Sequence, residues 1–179
     1  MFNNIIIAVI DYGMTKNLKT LLVNLKVPHY IIDNNTIPHI IPSHIILSGS
    51  PDHVYQDKHR ILPDWVIYSN IPVLGICYGM QIIAHTFGGI VCKLDEEEKG
   101  LYCVNEYING KFYRSERWFN RFDNVYKCPP NFTILGVNDK NLIVSITDNI
   151  KFWGVQYHPE NPNALDYNFF CSFFSYYNK

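Results

Sequence analysis

The sequence predicts an α/β fold, an open, mostly parallel but mixed sheet with flanking helices, built as a single domain over residues 1–179. Three observations predict it. Short, largely apolar runs at 5–10, 44–47 and 73–76 lack the alternation of a half-exposed strand and read as strands buried on both faces. Between and after them, apolar residues recur at helical spacing: Leu18, Leu21, Leu22 and Leu25, then Met80, Ile83, Ala84 and Phe87. Strand and helix patterns alternate along the chain, which favours parallel strands joined by crossovers.

The first strand, 5–10, is broken by Asp11-Tyr12-Gly13, and a helix is expected over about 16–25, with Asp11 as its cap. A short strand at 30–32 ends in the polar turn Asp33-Asn34-Asn35. The strand at 44–47 runs into Ser48-Gly49-Ser50-Pro51. The polar stretch 51–60 then reads as a surface loop with solvated His53 and His59, lacking carboxylate–histidine spacing for a metal. A helix is expected over 62–68, the strand 73–76 follows, and Gly88-Gly89 stops the next helix. Residues 90–92 begin another strand, and the acidic run 95–100 reads as a solvated turn. Residues 102–108 and 111–113 form a hairpin about Asn109-Gly110. Strands at 134–137, 142–147 and 150–157 precede a last helix over 164–177, packed through Phe169, Phe170, Phe173 and Phe174.

Composition narrows the functional classes. The formal net charge of −1 gives no electrostatic case for nucleic acid, and no apolar run is long enough to span a membrane. Residues 1–4 lack a basic signal-peptide region, so a soluble, cytoplasmic protein is expected. Five cysteines, with no Cys-x-x-Cys pair, argue for a reducing compartment and against a disulfide framework or zinc site. Cys92 and Cys171 sit among apolar neighbours and read as core filler.

Cys77 stands where strand becomes helix, with Gly75 and Gly79 two residues to either side. This is the pattern of a nucleophile elbow, a turn so tight that side chains at those two positions would clash. The helix N-terminus favours a thiolate, and the Tyr78 N–H can face an oxyanion. A buried, inert thiol is the alternative for Cys77 alone. Near the C-terminus, His158-Pro159-Glu160 closes an apolar strand. In an extended chain residues i and i+2 project together, so Glu160 can orient the imidazole while His158 serves Cys77 as base.

Pro72-Val73-Leu74-Gly75-Ile76-Cys77-Tyr78-Gly79-Met80-Gln81 and Gly154-Val155-Gln156-Tyr157-His158-Pro159-Glu160 resemble two motifs of the class I (triad) glutamine amidotransferases. The family carries Pro-Val-Leu-Gly-Ile-Cys-x-Gly-x-Gln and Gly-Val-Gln-Phe-His-Pro-Glu. The likeness runs from about residue 5 to the last helix and is greatest to the glutaminase part of GMP synthase. It implies a flavodoxin-like class I glutaminase fold, with Cys77, His158 and Glu160 as the catalytic triad. It places the second oxyanion donor at the Ser50 N–H beside Gly49. The family has glycine at position 50, so a left-handed backbone there would strain the serine.

The resemblance also assigns glutamine binding to Gly49, to Gln81 and to Asn120-Arg121-Phe122, the last three of which replace the family's Ser-His-Gly in a stretch otherwise matched by Trp118, Asp123 and Val125. Losing that glycine implies a changed loop. Arg121 either pairs with the substrate carboxylate or points to solvent. Glu98-Lys99-Gly100 matches a Glu-x-Gly near the glutamine pocket.

The implied reaction is hydrolysis of L-glutamine to glutamate and ammonia, with no metal or organic cofactor. At 179 residues the chain leaves no length for an ATP-binding synthetase domain, so a separate synthetase subunit is the expected partner. The GMP synthase likeness implies the ATP-pyrophosphatase that makes GMP from XMP. Two other readings are a stand-alone hydrolase or peptidase acting on γ-glutamyl compounds, and a non-catalytic binding or regulatory module that kept the fold.

Overall fold

A computed structural model describes residues 5–56, 60–108 and 110–176. His59 and Asn109 lie outside the described residues. The described strands are β1 (Ile7–Ile10), β2 (His29–Ile32), β3 (His44–Leu47), β4 (Val73–Ile76), β5 (Ile90–Ile108), β6 (Lys111–Lys127), β7 (Thr133–Asn138), β8 (Ile143–Thr147) and β9 (Phe152–Val155). The helices are α1 (Lys16–Asn24), α2 (Asp64–Tyr68), α3 (Tyr78–Thr86) and α4 (Tyr167–Tyr176). All nine strands form one sheet, in the order β2-β1-β3-β4-β9-β8-β7-β5-β6.

The sheet is parallel from β2 to β9 and antiparallel from β9 to β6. The "mostly parallel" expectation therefore holds for the half built on the apolar runs and not for the other half. Alternate residues of β1 feed opposite cores. Ile7 and Val9 pack with Leu18 and Leu22 of α1 and with Phe169, Phe170, Phe173 and Phe174 of α4. Ala8 and Ile10 pack with Val66 of α2 and Met80, Ile83 and Ala84 of α3. Both faces are covered, which is why these strands carry continuous apolar runs. Each buried large apolar side chain contributes about 1.5–3 kcal/mol relative to exposure.

Several elements differ from expectation. The 95–100 run is not a turn but the middle of β5, where the register shifts between Lys93 and Glu98, and Glu98 is buried. The short hairpin at 102–113 is the outer part of a much longer one, whose pairing extends from Ile108 with Lys111 to Ile90 with Lys127. Residues 118–125, read as a loop, are strand β6. Asp11 does not cap α1; its carboxylate accepts the Gly13 N–H at 2.6 Å, a local turn. Cys92 is exposed and Cys171 half-buried, so neither fills a core.

Candidate active site

The C-terminal ends of parallel strands are where ligands bind in open α/β sheets. Here the ends of β3, β4 and β9 meet. Cys77 follows β4 directly, with φ 53° and ψ −105°, a left-handed backbone that only a tightly held turn sustains in a non-glycine residue. Both flanking glycines are sterically required. A Cβ on Gly75 would lie 2.5 Å from the Gly79 backbone, and one on Gly79 would lie 2.4 Å from the Leu47 carbonyl oxygen. Tyr78 opens α3, so its amide belongs to the first turn of the helix.

His158 and Glu160 do not extend β9. They occupy a turn after it, held from outside by the hydrogen bond of the His158 N–H to the Trp118 carbonyl of β6, 2.8 Å. His158 Nδ1 lies 2.8 Å from Glu160 Oε1, an N–H-to-carboxylate hydrogen bond that fixes the ring. Both residues are buried. Burial opposes charge on the imidazole, but Glu160 and the adjacent Cys77 sulfur outweigh it and raise the His158 pKa well above the usual histidine range. The raised pKa favours a proton shared from the thiol to the ring, and a cation there favours negative charge on the sulfur. Its Nε2 is buried with no nitrogen or oxygen partner among the described residues. Gly49 backs the ring, since a Cβ there would stand 3.3 Å from His158 Cε1.

A cavity of about 170 Å³ opens in front of the sulfur. Of the sequence-predicted site residues, Cys77, Ser50, Gln81, Asn120, Arg121 and Phe122 line it, while Gly49, Tyr78, His158 and Glu160 are not part of its wall. Ser50 has no left-handed backbone, so replacing glycine there stores no strain. Its N–H makes no hydrogen bond among the described residues, and its hydroxyl accepts from Arg60 Nη1 at 2.6 Å.

Arg121 takes neither of the two positions expected for it. Its guanidinium turns inward, with Nε and Nη2 at 2.9 and 2.6 Å from Glu98 Oε2 and Nη1 at 2.5 Å from Asn124 Oδ1. Glu98 and Arg121 thus neutralise each other inside the protein.

A family model described as glutamine amidotransferase class-I matches residues 8–171. The chain belongs to that family. As a class I glutamine amidotransferase it is 32% identical over 165 residues to a GMP synthase (glutamine-hydrolyzing) of Thermomicrobium roseum, a match covering 86% of this chain and 31% of that one. A GMP synthase of Thermosipho melanesiensis is 38% identical over 124 residues, 66% of this chain and 24% of that one. The chain thus spans a third or less of the length of these curated relatives. In fold it is similar to a Thermoplasma acidophilum protein described, provisionally, as a GMP synthase subunit, with a TM-score of 0.83 at 23% identity, covering 97% of this chain and 94% of that one. A glutamine amidotransferase of Thermotoga maritima follows the same fold with a TM-score of 0.74 at 19% identity, over 87% of this chain and 76% of that one.

Two features of this class I amidotransferase were not read as site features in its sequence. His53 is half-buried and paired: its Nδ1 lies 2.7 Å from Asp123 Oδ2, and the Tyr55 hydroxyl donates to Asp123 Oδ1 at 3.0 Å. Burial, first, and then the Asp123 carboxylate push the Tyr55 hydroxyl up to about 12. Only the match of Asp123 to the family motif signalled that cluster. Gln156 stands against the Cys77 sulfur, 3.6 Å from it, and was visible only as one letter of the Gly-Val-Gln-Tyr-His-Pro-Glu run. Among the described residues no cluster of three or more His, Cys, Asp or Glu could hold a metal ion, and no helix is long and apolar enough to cross a membrane.

Proposed function

We propose that the chain hydrolyses L-glutamine to glutamate and ammonia through Cys77, His158 and Glu160, and delivers the ammonia to a synthetase of the GMP synthase ATP-pyrophosphatase kind. The observation that carries this is the strained Cys77 elbow lining a small cavity, with a buried, carboxylate-oriented His158 coupled to the sulfur outside the cavity wall. About 170 Å³ suits an amino acid better than a drug-sized ligand, whose pockets run from about 300 Å³.

In this mechanism the Cys77 sulfur attacks the side-chain amide carbon of glutamine. The N–H groups of Tyr78 and Ser50 hold the developing oxyanion. His158 gives its Nε2 proton to the departing nitrogen, which leaves as ammonia, and a thioester remains. His158 then takes a proton from water, whose oxygen attacks the thioester; the C–S bond breaks and glutamate leaves. Glu160 holds the ring for both transfers. Gln81 and the strand around Asn120 contact the α-substituents.

The test is ammonia release from L-glutamine by the purified chain, alone and with an ATP-pyrophosphatase subunit and XMP. Turnover that rises with the partner and vanishes in Cys77→Ala supports the proposal. Release from γ-glutamyl peptides but not glutamine would favour a stand-alone hydrolase. Labelling of Cys77 by a glutamine-mimicking electrophile without turnover, with or without partner, would leave only a binding module.

A further inference from the structure

Gln156 is fully buried between β9 and the catalytic turn, anchored by its N–H to the Val144 carbonyl at 2.8 Å, and the mechanism above gives it no task. Its side chain bridges two groups of the site. Nε2 lies 3.6 Å from Cys77 Sγ, and Oε1 accepts from Gln81 Nε2 at 3.4 Å. Gln81 Nε2 also donates to the Asp123 backbone carbonyl at 3.3 Å.

The direction of a buried amide follows from its partners. A carbonyl oxygen can only accept, so Asp123 forces Gln81 to turn its NH₂ inward. That NH₂ has a second proton, which fits the oxygen of Gln156 and not its nitrogen. The Gln156 NH₂ is then left facing the sulfur. One backbone carbonyl thereby orients two side-chain amides in series, and the series ends with a donor on the nucleophile.

We propose that Gln156 is a further catalytic residue, donating an Nε2–H hydrogen bond that stabilises the Cys77 thiolate, with Gln81 setting the direction of that amide. This rests on reading Cys77 as the nucleophile. When the thiol proton passes to His158 Nε2, the sulfur lone pair gains charge, and an N–H donor to a charged acceptor is roughly twice as strong as to a neutral one. The Asn120 carbonyl, 3.9 Å from Sγ on another side, can only accept and so favours the protonated thiol; Gln156 opposes it. As the sulfur's electron pair forms the C–S bond, charge passes to the carbonyl oxygen and the contact weakens. When the thioester breaks, the sulfur leaves as thiolate and the contact returns. The donor therefore assists proton loss before the first step and departure of sulfur in the second.

The experiment follows alkylation of Cys77 by iodoacetamide in the full chain from pH 5 to 10, read on the Cys77 peptide by mass spectrometry so that the other four cysteines do not interfere. In Gln156→Leu the midpoint of the profile rises by about one pH unit, so that on the rising limb below the midpoint the rate falls about tenfold at a given pH. Gln156→Glu, nearly the same shape, shifts it at least as far because a carboxylate replaces the donor. Gln81→Leu, which leaves Gln156 in place but frees its amide to turn, gives a smaller rise. For glutamine hydrolysis, the Gln156 variants lose kcat more than they raise KM. Circular dichroism checks that each variant is folded. Folded Gln156 variants with the wild-type alkylation profile would overturn the proposal. A wild-type chain that never hydrolyses glutamine would instead sink the glutaminase reading, while the alkylation profile still decides the role of Gln156.

Discussion

His44 should make this protein acid-sensitive by itself. It starts β3 at the end of the sheet away from the elbow and is 1% exposed. Its ring packs edge-on against Phe173 and Phe174 of α4, with centroids 5.2 and 5.8 Å away. Nδ1 has a partner, the Ser43 hydroxyl at 3.0 Å, but Nε2 is buried with none among the described residues. Burial among apolar rings penalises the charged form and lowers the His44 pKa from 6.5 to about 4. The unfolded chain therefore binds the proton first as pH falls, and stability drops through the window between 6.5 and about 4. Every tenfold loss of proton affinity on folding is worth about 1.36 kcal/mol, so this one group costs roughly 1 kcal/mol by pH 5.5 and about 3 kcal/mol by pH 4, relative to pH 7.

Other groups also titrate there. Glu106 has its pKa raised, chiefly by burial, so protonating it on acidification favours the folded state and opposes His44. His158, with a raised pKa, holds its proton in the folded chain before the unfolded chain does, so its contribution favours the folded state as pH falls through 6.5 and levels off about one unit below. The decisive measurement is thus a difference: urea unfolding of wild type and His44→Leu at pH 7, 5.5 and 4. Whatever stability the variant has at pH 7, the two curves should separate by a further 3 kcal/mol or so, about the full cost worked out for His44, on going to pH 4. Parallel curves would show that His44 is charged or solvated in the folded state, and the account of its pocket would be wrong.

Three further outcomes follow from the site and its supports. Glu160→Gln keeps a hydrogen-bond partner for His158 but removes the charge; kcat should fall about 10³–10⁴-fold with little change in KM, as in other triads that lose their orienting carboxylate, and a fall below tenfold would remove Glu160 from the mechanism. Gly79→Ala puts a Cβ 2.4 Å from the Leu47 carbonyl, which belongs to a central strand and cannot yield; the urea midpoint should drop by an amount worth at least about 1–3 kcal/mol, and an unchanged midpoint would refute the packing argument. Tyr157→Phe strips one donor from buried Glu106, which keeps Ser145 Oγ at 2.8 Å; the expected loss is about 1–2 kcal/mol of stability, and the loss should shrink when measured in a Glu106→Gln background.

The elbow was legible because its geometry is local. The clash that demands Gly75 is with Gly79 itself, four residues on, and Gly79 must also clear the Leu47 carbonyl of the neighbouring strand, so both requirements are written at fixed spacing about Cys77. The pairing of His158 with Glu160 was legible for the same reason, but its geometry was not. The turn that brings them together depends on the Trp118 carbonyl, 40 residues earlier in sequence. The long β5–β6 hairpin was hidden because its apolar pattern is interrupted at 95–98 by four consecutive acidic residues. Glu98 can be buried because Arg121 answers one of its oxygens and Asn138 and Lys140 the other, and that compensation has no signature at short range. His53 and Asp123 stand 70 residues apart, so a histidine in a polar loop gave no hint of its partner.

The same hairpin explains why the family's Ser-His-Gly could be lost without a strained backbone. A loop needs glycine for left-handed dihedrals, but among the described residues none from 118 to 127 has positive φ. As a strand, the stretch must instead obey a period of two. Phe119, Arg121 and Asp123 are buried, while Asn120 is half-buried and Phe122 is 47% exposed. Arginine at an inward position would be prohibitive alone; paired with Glu98 and stacked on the Phe119 ring at 4.8 Å, it is compensated. The backbone of this edge strand then stays free to serve the site. Trp118 supplies the carbonyl that seats His158, and the Asn120 and Asp123 carbonyls face Cys77 and Gln81. One strand thus seats His158, flanks Cys77 and orients Gln81, so the Asn120-Arg121-Phe122 replacement is a coherent rebuilding of that wall and not its decay.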